Sequence, residues 1–279
     1  MKSVLMIGQS NMAGRGFINE VPVICNERIQ MLRNGRWQMM TEPINYDRPV
    51  AGIGPVGSFA AMWCKENAEG KIGLIPCAEG GSSLDEWGID KVLFKNAVLQ
   101  AKFALQDSEL ICILWHQGEN DSYGGGYRDY FKKLEVIVDQ MRKELNVPDI
   151  PFIVGGLGDY LGKSGFGLNC TEYELVNREL LRFAREKENA YFVTAKGLTC
   201  NPDGIHMNAV SQRKLGVRYY EAFSRRQNIL EPLENEEESL AACLDRPLVR
   251  GERIYLAMTD FVLGKMKYDE FMRKMKELS

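Results

Sequence analysis

Val4-Leu5-Met6-Ile7-Gly8-Gln9-Ser10-Asn11-Met12 is the stretch on which the fold turns. Four apolar residues, two of them β-branched, run straight into a glycine and then a polar cluster. A short apolar run without alternation reads as a strand buried on both faces. The same signature recurs at residues 72–76, 110–115, 151–154 and 191–194. Between these runs the apolar residues fall at helical spacing. Phe59, Met62 and Trp63 mark one helix, and Val92, Ala97 and Phe103 the next. Tyr130, Leu134, Ile137, Val138 and Met141 mark a third, and Leu175, Leu180, Leu181 and Ala184 a fourth. Leu215, Tyr219, Ala222 and Phe223 follow the last strand. Strand and helix in alternation specify an α/β protein with a parallel sheet covered on both faces. The expectation is a three-layer α/β/α, flavodoxin-like domain of about five parallel strands.

Two segments depart from this rhythm. Residues 28–40 contain Asn34-Gly35 between Met31-Leu32 and Trp37, a two-residue hairpin signal. They read as a small hairpin inserted between the first strand and the first long helix. After residue 228 the chain turns acidic over 231–238, which reads as a linker or a solvated helix start. Residues 239–244 and 259–278 then read as two helices joined through Pro247 and Gly251. The division expected is an enzyme domain over residues 1–228. Residues 229–279 form a helical appendage serving as lid, packing element or homo-oligomer contact, and not an independent domain.

Composition narrows the function classes. The 279 residues are 45% hydrophobic and 26% charged, ordinary for a globular chain able to bury a sizeable core. A net charge of -3 supplies no basic field for nucleic acid or anionic lipid. No apolar run is long enough to span a bilayer, and Val4–Ile7 is too short for a signal-peptide core. The expected location is cytoplasmic. The seven cysteines include no C-x-x-C pair and there are only two histidines. The cysteines are expected as small buried residues in a reducing compartment, with no metal site and no cofactor.

The chemistry is expected at the strand ends, because a doubly wound sheet binds ligands outside the carboxyl ends of its strands. Four polar, glycine-containing clusters follow strands: Gly8-Gln9-Ser10-Asn11, Glu79-Gly80-Gly81-Ser82-Ser83, His116-Gln117-Gly118-Glu119-Asn120-Asp121, and Asp203-Gly204-Ile205-His206. Together they hold the parts of an acyl-transfer site. A serine hydroxyl needs a neighbouring base to become a nucleophile, and His206 is the candidate base for Ser10. Asp203, three residues earlier, can accept the imidazole Nδ1–H and leave Nε2 facing Ser10. Glu119 is the alternative acid. Oxyanion donors at hand are the Ser10 amide, an amide of Gly80 or Gly81, and a side-chain amide of Gln117 or Asn120. A serine after a strand is ordinarily a cap and a glycine pair ordinarily a turn. It is their joint placement at one sheet edge that argues for catalysis. His116, directly after a buried run, is read as a hydrogen-bonding residue beneath the site.

These blocks resemble a known family. Residues 8–16, Gly-Gln-Ser-Asn-Met-Ala-Gly-Arg-Gly, look like the nucleophile block of the sialate O-acetylesterase and acetylxylan esterase group within the SGNH hydrolases. Residues 77–83 followed by Glu86-Trp87, residues 115–119, and residues 203–206 resemble its other blocks, and the resemblance spans residues 3–225. It implies the flavodoxin-like fold, metal-independent removal of acetyl groups from sugars, and catalytic roles for Ser10 and His206. It also favours Gln117, then Asn120, as the side-chain oxyanion donor.

The favoured substrate is a small acetylated carbohydrate of the xylo-oligosaccharide or sialic acid type. Gln9, Asn11 and Arg15 are the polar substrate-binding candidates, and Trp87 and Trp37 the aromatic ones. The alternatives are an esterase or thioesterase of the same fold acting on a non-sugar acyl group, and a non-catalytic carbohydrate-binding module.

Overall fold

A computed structural model describes residues 1–278. Its sheet has seven strands: β1 (Lys2–Gly8), β2 (Ile29–Arg33), β3 (Arg36–Met39), β4 (Ile72–Pro76), β5 (Glu109–His116), β6 (Phe152–Gly155) and β7 (Ala190–Val193). Their order is β3-β2-β4-β1-β5-β6-β7, and every neighbouring pair is parallel except β2 and β3. The five buried runs are thus β4, β1, β5, β6 and β7 in the doubly wound order. Strand order reverses between β1 and β5, which places the crevice at their carboxyl ends.

The helices are α1 (Ser10–Ala13), α2 (Val56–Glu66), α3 (Val92–Ala104), α4 (Tyr130–Glu144), α5 (Tyr173–Glu186), α6 (Ala209–Arg225), α7 (Glu236–Leu244), α8 (Arg250–Val262) and α9 (Tyr268–Leu278). Side chains alternate across a strand, so β1 feeds both core layers. Leu5 and Ile7 pack with Phe94 of α3, Leu134 of α4 and Leu180 of α5. Val4 and Met6 pack with Phe59 of α2 and Tyr219 of α6.

The structure departs from the sequence reading in two places. The hairpin forms, with Asn34 and Gly35 both at positive φ, but it is not a separate insertion. Residues Ile29, Gln30 and Met31 pair in register with Ile72, Gly73 and Leu74, which widens the sheet from five strands to seven. The tail carries three helices rather than two. Gly264, at φ +70, separates α8 from α9, and Gly251 lies inside α8 rather than at a joint. The acidic segment does begin a helix, α7, but Glu236 is buried in an ion pair with Arg218 of α6. Leu240 joins the core layer of α2 and α6. None of the helices among the described residues is long and apolar enough to cross a membrane.

Candidate active site

Ser10 opens α1 two residues after β1 ends. The turn requires Gly8, at φ +131, because a Cβ there would lie 2.2 Å from the His116 carbonyl oxygen. That approach lets the Gln9 amide donate to the same carbonyl at 2.8 Å, locking the start of α1 onto β5. Ser10 is 4% exposed and lines a cleft of about 430 Å³ with Gly81, Asn120 and His206. The cleft therefore draws on the carboxyl ends of β1, β4, β5 and β7.

His206 sits on a tight loop after β7. Its Nδ1 is 2.8 Å from Asp203 Oδ2. Asp203 Oδ1 accepts the backbone amides of Ile205 and His206, both at 3.0 Å. Burial pulls the Asp203 carboxyl upward, but the His206 amide and ring and the Ile205 amide outweigh it and hold the group below its ordinary range. Of the two candidate acids, Asp203 is the one in contact with Nδ1.

Glu119 lines the same cleft but partners Asn11 and His116 rather than His206. It is 1% exposed, accepts from Asn11 Nδ2, and stands 3.5 Å from His116 Nε2. Burial raises its carboxyl, yet the His116 ring and the Asn11 amide prevail and hold it low. His116 is fully buried with Nδ1 3.5 Å from the Tyr219 hydroxyl, beneath the site as expected.

The oxyanion candidates separate clearly. Neither the Ser10 nor the Gly81 amide has an acceptor among the described residues. The Gly80 amide is already engaged, donating to Asp47 Oδ2 at 2.8 Å, so the glycine pair offers Gly81 alone. Gln117 is not brought to the cleft. Its Nε2 donates to Gln9 Oε1, the Ser82 carbonyl and Asp121 Oδ2, and its Oε1 accepts from the Tyr130 hydroxyl. Fully buried and fully bonded, it has no donor left for a substrate. Asn120 does line the cleft, with Nδ2 donating to the Gly81 carbonyl at 3.0 Å. An amide has two N–H groups, which leaves one for an oxyanion.

The substrate-binding candidates fare unevenly. Gln9 and Arg15 line the cleft. Arg15 is held bidentate by Asp47, at 3.1 and 2.6 Å, both side chains buried. Asn11 faces inward: it donates to Glu119 and the Ile205 carbonyl, and accepts from the Met207 amide and Gln212. It braces the backbone on both sides of His206. Trp87 is 0% exposed, edge-on to Trp115, with Nε1 bonded to Ser82 Oγ. Trp37 lies on the edge strand β3 against Gly73 of β4, away from the cleft. Neither tryptophan lines the cleft. The aromatics that do line the cleft are Tyr123 and Phe166. Sequence reasoning missed both, although each lies beside glycines in a loop that follows a strand end.

Comparison with known proteins agrees with this architecture. The family described as "carbohydrate esterase, sialic acid-specific acetylesterase" matches residues 1–225. A probable carbohydrate esterase of Arabidopsis thaliana is 28% identical over 247 residues, 78% of this chain and 88% of its own. The X-ray structure of that Arabidopsis protein superposes with a TM-score of 0.72 at 26% identity, covering 80% of this chain and 98% of that one. NanS shares the fold at a TM-score of 0.68 and 18% identity, over 81% of this chain and 97% of its own. A carbohydrate acetylesterase from Xanthomonas citri does so at 0.58 and 19%, over 81% of this chain and 55% of its own. The chain therefore belongs to this carbohydrate esterase family and is a carboxylic ester hydrolase.

Proposed function

We propose that this protein removes O-acetyl groups from a carbohydrate through an acetyl-enzyme on Ser10. The observation that carries the reading is the 2.8 Å contact between Asp203 Oδ2 and His206 Nδ1, in a cleft that His206 shares with Ser10. A carboxylate at Nδ1 fixes the tautomer whose Nε2 lone pair is available as a base. Nε2 takes the Ser10 hydroxyl proton as Oγ attacks the acetyl carbonyl carbon. The resulting oxyanion is met by the Ser10 and Gly81 amides and by Asn120 Nδ2. When the C–O bond to the sugar breaks, Nε2 returns the proton to the sugar oxygen. Water then attacks the acetyl-enzyme by the same route, releasing acetate and restoring Ser10. No step uses a cofactor.

The test is Ser10→Ala, assayed by acetate release from an aryl acetate and from an acetylated xylo-oligosaccharide, with folding followed by circular dichroism. A folded variant with kcat lowered by at least about three orders of magnitude is expected. Activity within a few-fold of wild type would remove Ser10 from the mechanism. Acyl chains longer than acetyl are expected to react more slowly. A preference for long chains would point to a different ester.

A further inference from the structure

Phe166 is 78% exposed although it lines the cleft of Ser10 and His206. A side chain of this size left in water forgoes the stabilisation that burying it would bring. It is not carried on a loose loop. The Phe166 amide donates to the Asp203 carbonyl at 2.8 Å. The flanking Gly165, at φ +55, packs so closely that a Cβ would lie 2.1 Å from that oxygen. Gly167 makes the same approach to the Gly204 carbonyl, also at 2.1 Å. The turn bearing the exposed ring is thus fastened to the loop bearing His206. Tyr123, 50% exposed, lines the same cleft from the segment that follows Asn120.

The deacetylation chemistry says what belongs there. His206 returns its proton to the sugar oxygen, so the sugar must lie on the His206 side of the cleft, the side to which Phe166 is fastened. A pyranose ring has an apolar C–H face that an aromatic ring can cover, and its hydroxyls remain free for polar partners. The charges lining the cleft bear on the sugar as well. The Arg15 guanidinium is neutralised by Asp47, and Glu119 is buried on Asn11 and His116. Among the described residues that line the cleft, no unpaired Lys or Arg is present to receive a sugar carboxylate.

Resting on the esterase reading above, we propose that Phe166, with Tyr123 as the second aromatic face, is the platform on which the ring of an uncharged acetylated sugar stacks during deacetylation. Phe166 then sets which alcohol the enzyme releases, and the floor of the cleft sets the acyl group.

The experiment compares kcat/KM for an acetylated xylo-oligosaccharide with kcat/KM for ethyl acetate, whose alcohol is too small to span a ring. Phe166→Ala is expected to lower that ratio about tenfold, equivalent to about 1.4 kcal/mol, and Phe166→Trp to preserve it. An unchanged ratio in Phe166→Ala overturns the proposal. That includes the case in which both substrates slow together, since the turn would then merely support His206. The wild-type enzyme is also expected to prefer the methyl ester of an O-acetylated sialic acid over the free acid. Preference for the free acid overturns the uncharged-sugar assignment. Ser10→Ala measured on ethyl acetate separates the two levels. If it stays active while the Phe166→Ala ratio falls, the platform stands and the nucleophile is wrong.

Discussion

Replacing Asp203 with asparagine isolates the group that orients His206. The carboxylate makes three contacts: Oδ2 with His206 Nδ1 at 2.8 Å, and Oδ1 with the amides of Ile205 and His206 at 3.0 Å. An asparagine keeps the Oδ1 acceptor, so both backbone bonds and the loop survive. Its Nδ2, however, donates where the carboxylate accepted. Nδ1 must then be the lone-pair nitrogen, the proton moves to Nε2, and the base proposed for Ser10 is lost. The imidazolium formed during attack loses its counter-charge as well. The two effects together are expected to lower kcat by about three to four orders of magnitude with little change in KM. Stability should respond differently, and with a defined pH dependence. The folded Asp203 carboxyl titrates below its unfolded value of about 3.9. Its ionised form therefore stabilises the loop at every pH above that value, and the gain is lost as pH falls through the folded value. Asp203→Asn should accordingly unfold more easily than wild type at pH 7, with the gap closing below about pH 4. The assay is steady-state acetate release together with urea denaturation at pH 7 and in the acid range. The reasoning fails if Asp203→Asn retains activity within tenfold of wild type. It fails equally if Glu119→Gln, rather than Asp203→Asn, shows the kcat loss without a matching loss of stability.

Asn120→Ala is expected to lower kcat by about two orders of magnitude with a normal denaturation midpoint, since it removes the oxyanion donor proposed above, whose side chain makes one other bond, to Gly81. Gln117→Ala is expected to show the reverse weighting, with a stability loss from its side-chain bonds to Gln9, Ser82, Asp121 and Tyr130; equal kcat and stability behaviour in the two variants would reject the choice of Asn120. Asn11→Ala should destabilise by about 3 kcal/mol in urea titrations, because four buried bonds go and Glu119 loses its amide partner. Prolonged dialysis against a chelator is expected to leave kcat unchanged, because His206 is engaged by Asp203 and His116 is fully buried; activity lost on dialysis and restored by zinc or manganese would replace the serine mechanism.

What was legible in the sequence follows from the range of the forces involved. The five strands, four of which carry the polar blocks, are short apolar runs, a local signal, and all five form. The hairpin was equally local at Asn34-Gly35, but its docking was not. Whether β2 pairs with β4 depends on residues some forty positions apart, which no turn motif encodes. The same limit explains the tryptophans. Trp87 follows a block that lines the site, yet its indole turns inward because Ser82 Oγ and the face of Trp115 complete its shell. Gln117 and Asn120 are three residues apart with the same side-chain amide. Their fates diverge because Gly118 takes φ +144 and starts a 3-10 turn, putting one below the floor and the other in the cleft. Phe166 escaped notice because an exposed aromatic in a loop has no periodicity to betray it.

The polar blocks hold more residues than the reaction consumes, and the surplus has a structural use. Gln9 Oε1 accepts Gln117 Nε2 at 3.2 Å and the Gly118 amide at 3.1 Å, tying the end of β1 to the turn after β5. Asn11 ties that turn, through Glu119, to the backbone on either side of His206. Asp47 ties Gly80 to Arg15, and so the turn after β4 back to the segment after α1. Each tie is made by a buried group whose polar atoms would be costly to leave unpaired. A shift of one strand end therefore strands partners on another, and the network tolerates few arrangements. The upper residues, Ser10, Gly81, Asn120 and His206, inherit their relative positions from this lower tier. A mutation in the lower tier should consequently alter activity through geometry, in proportion to the stability it removes. One at Ser10, Asn120 or His206 should alter activity alone, and comparing kcat with the denaturation midpoint across both sets distinguishes them.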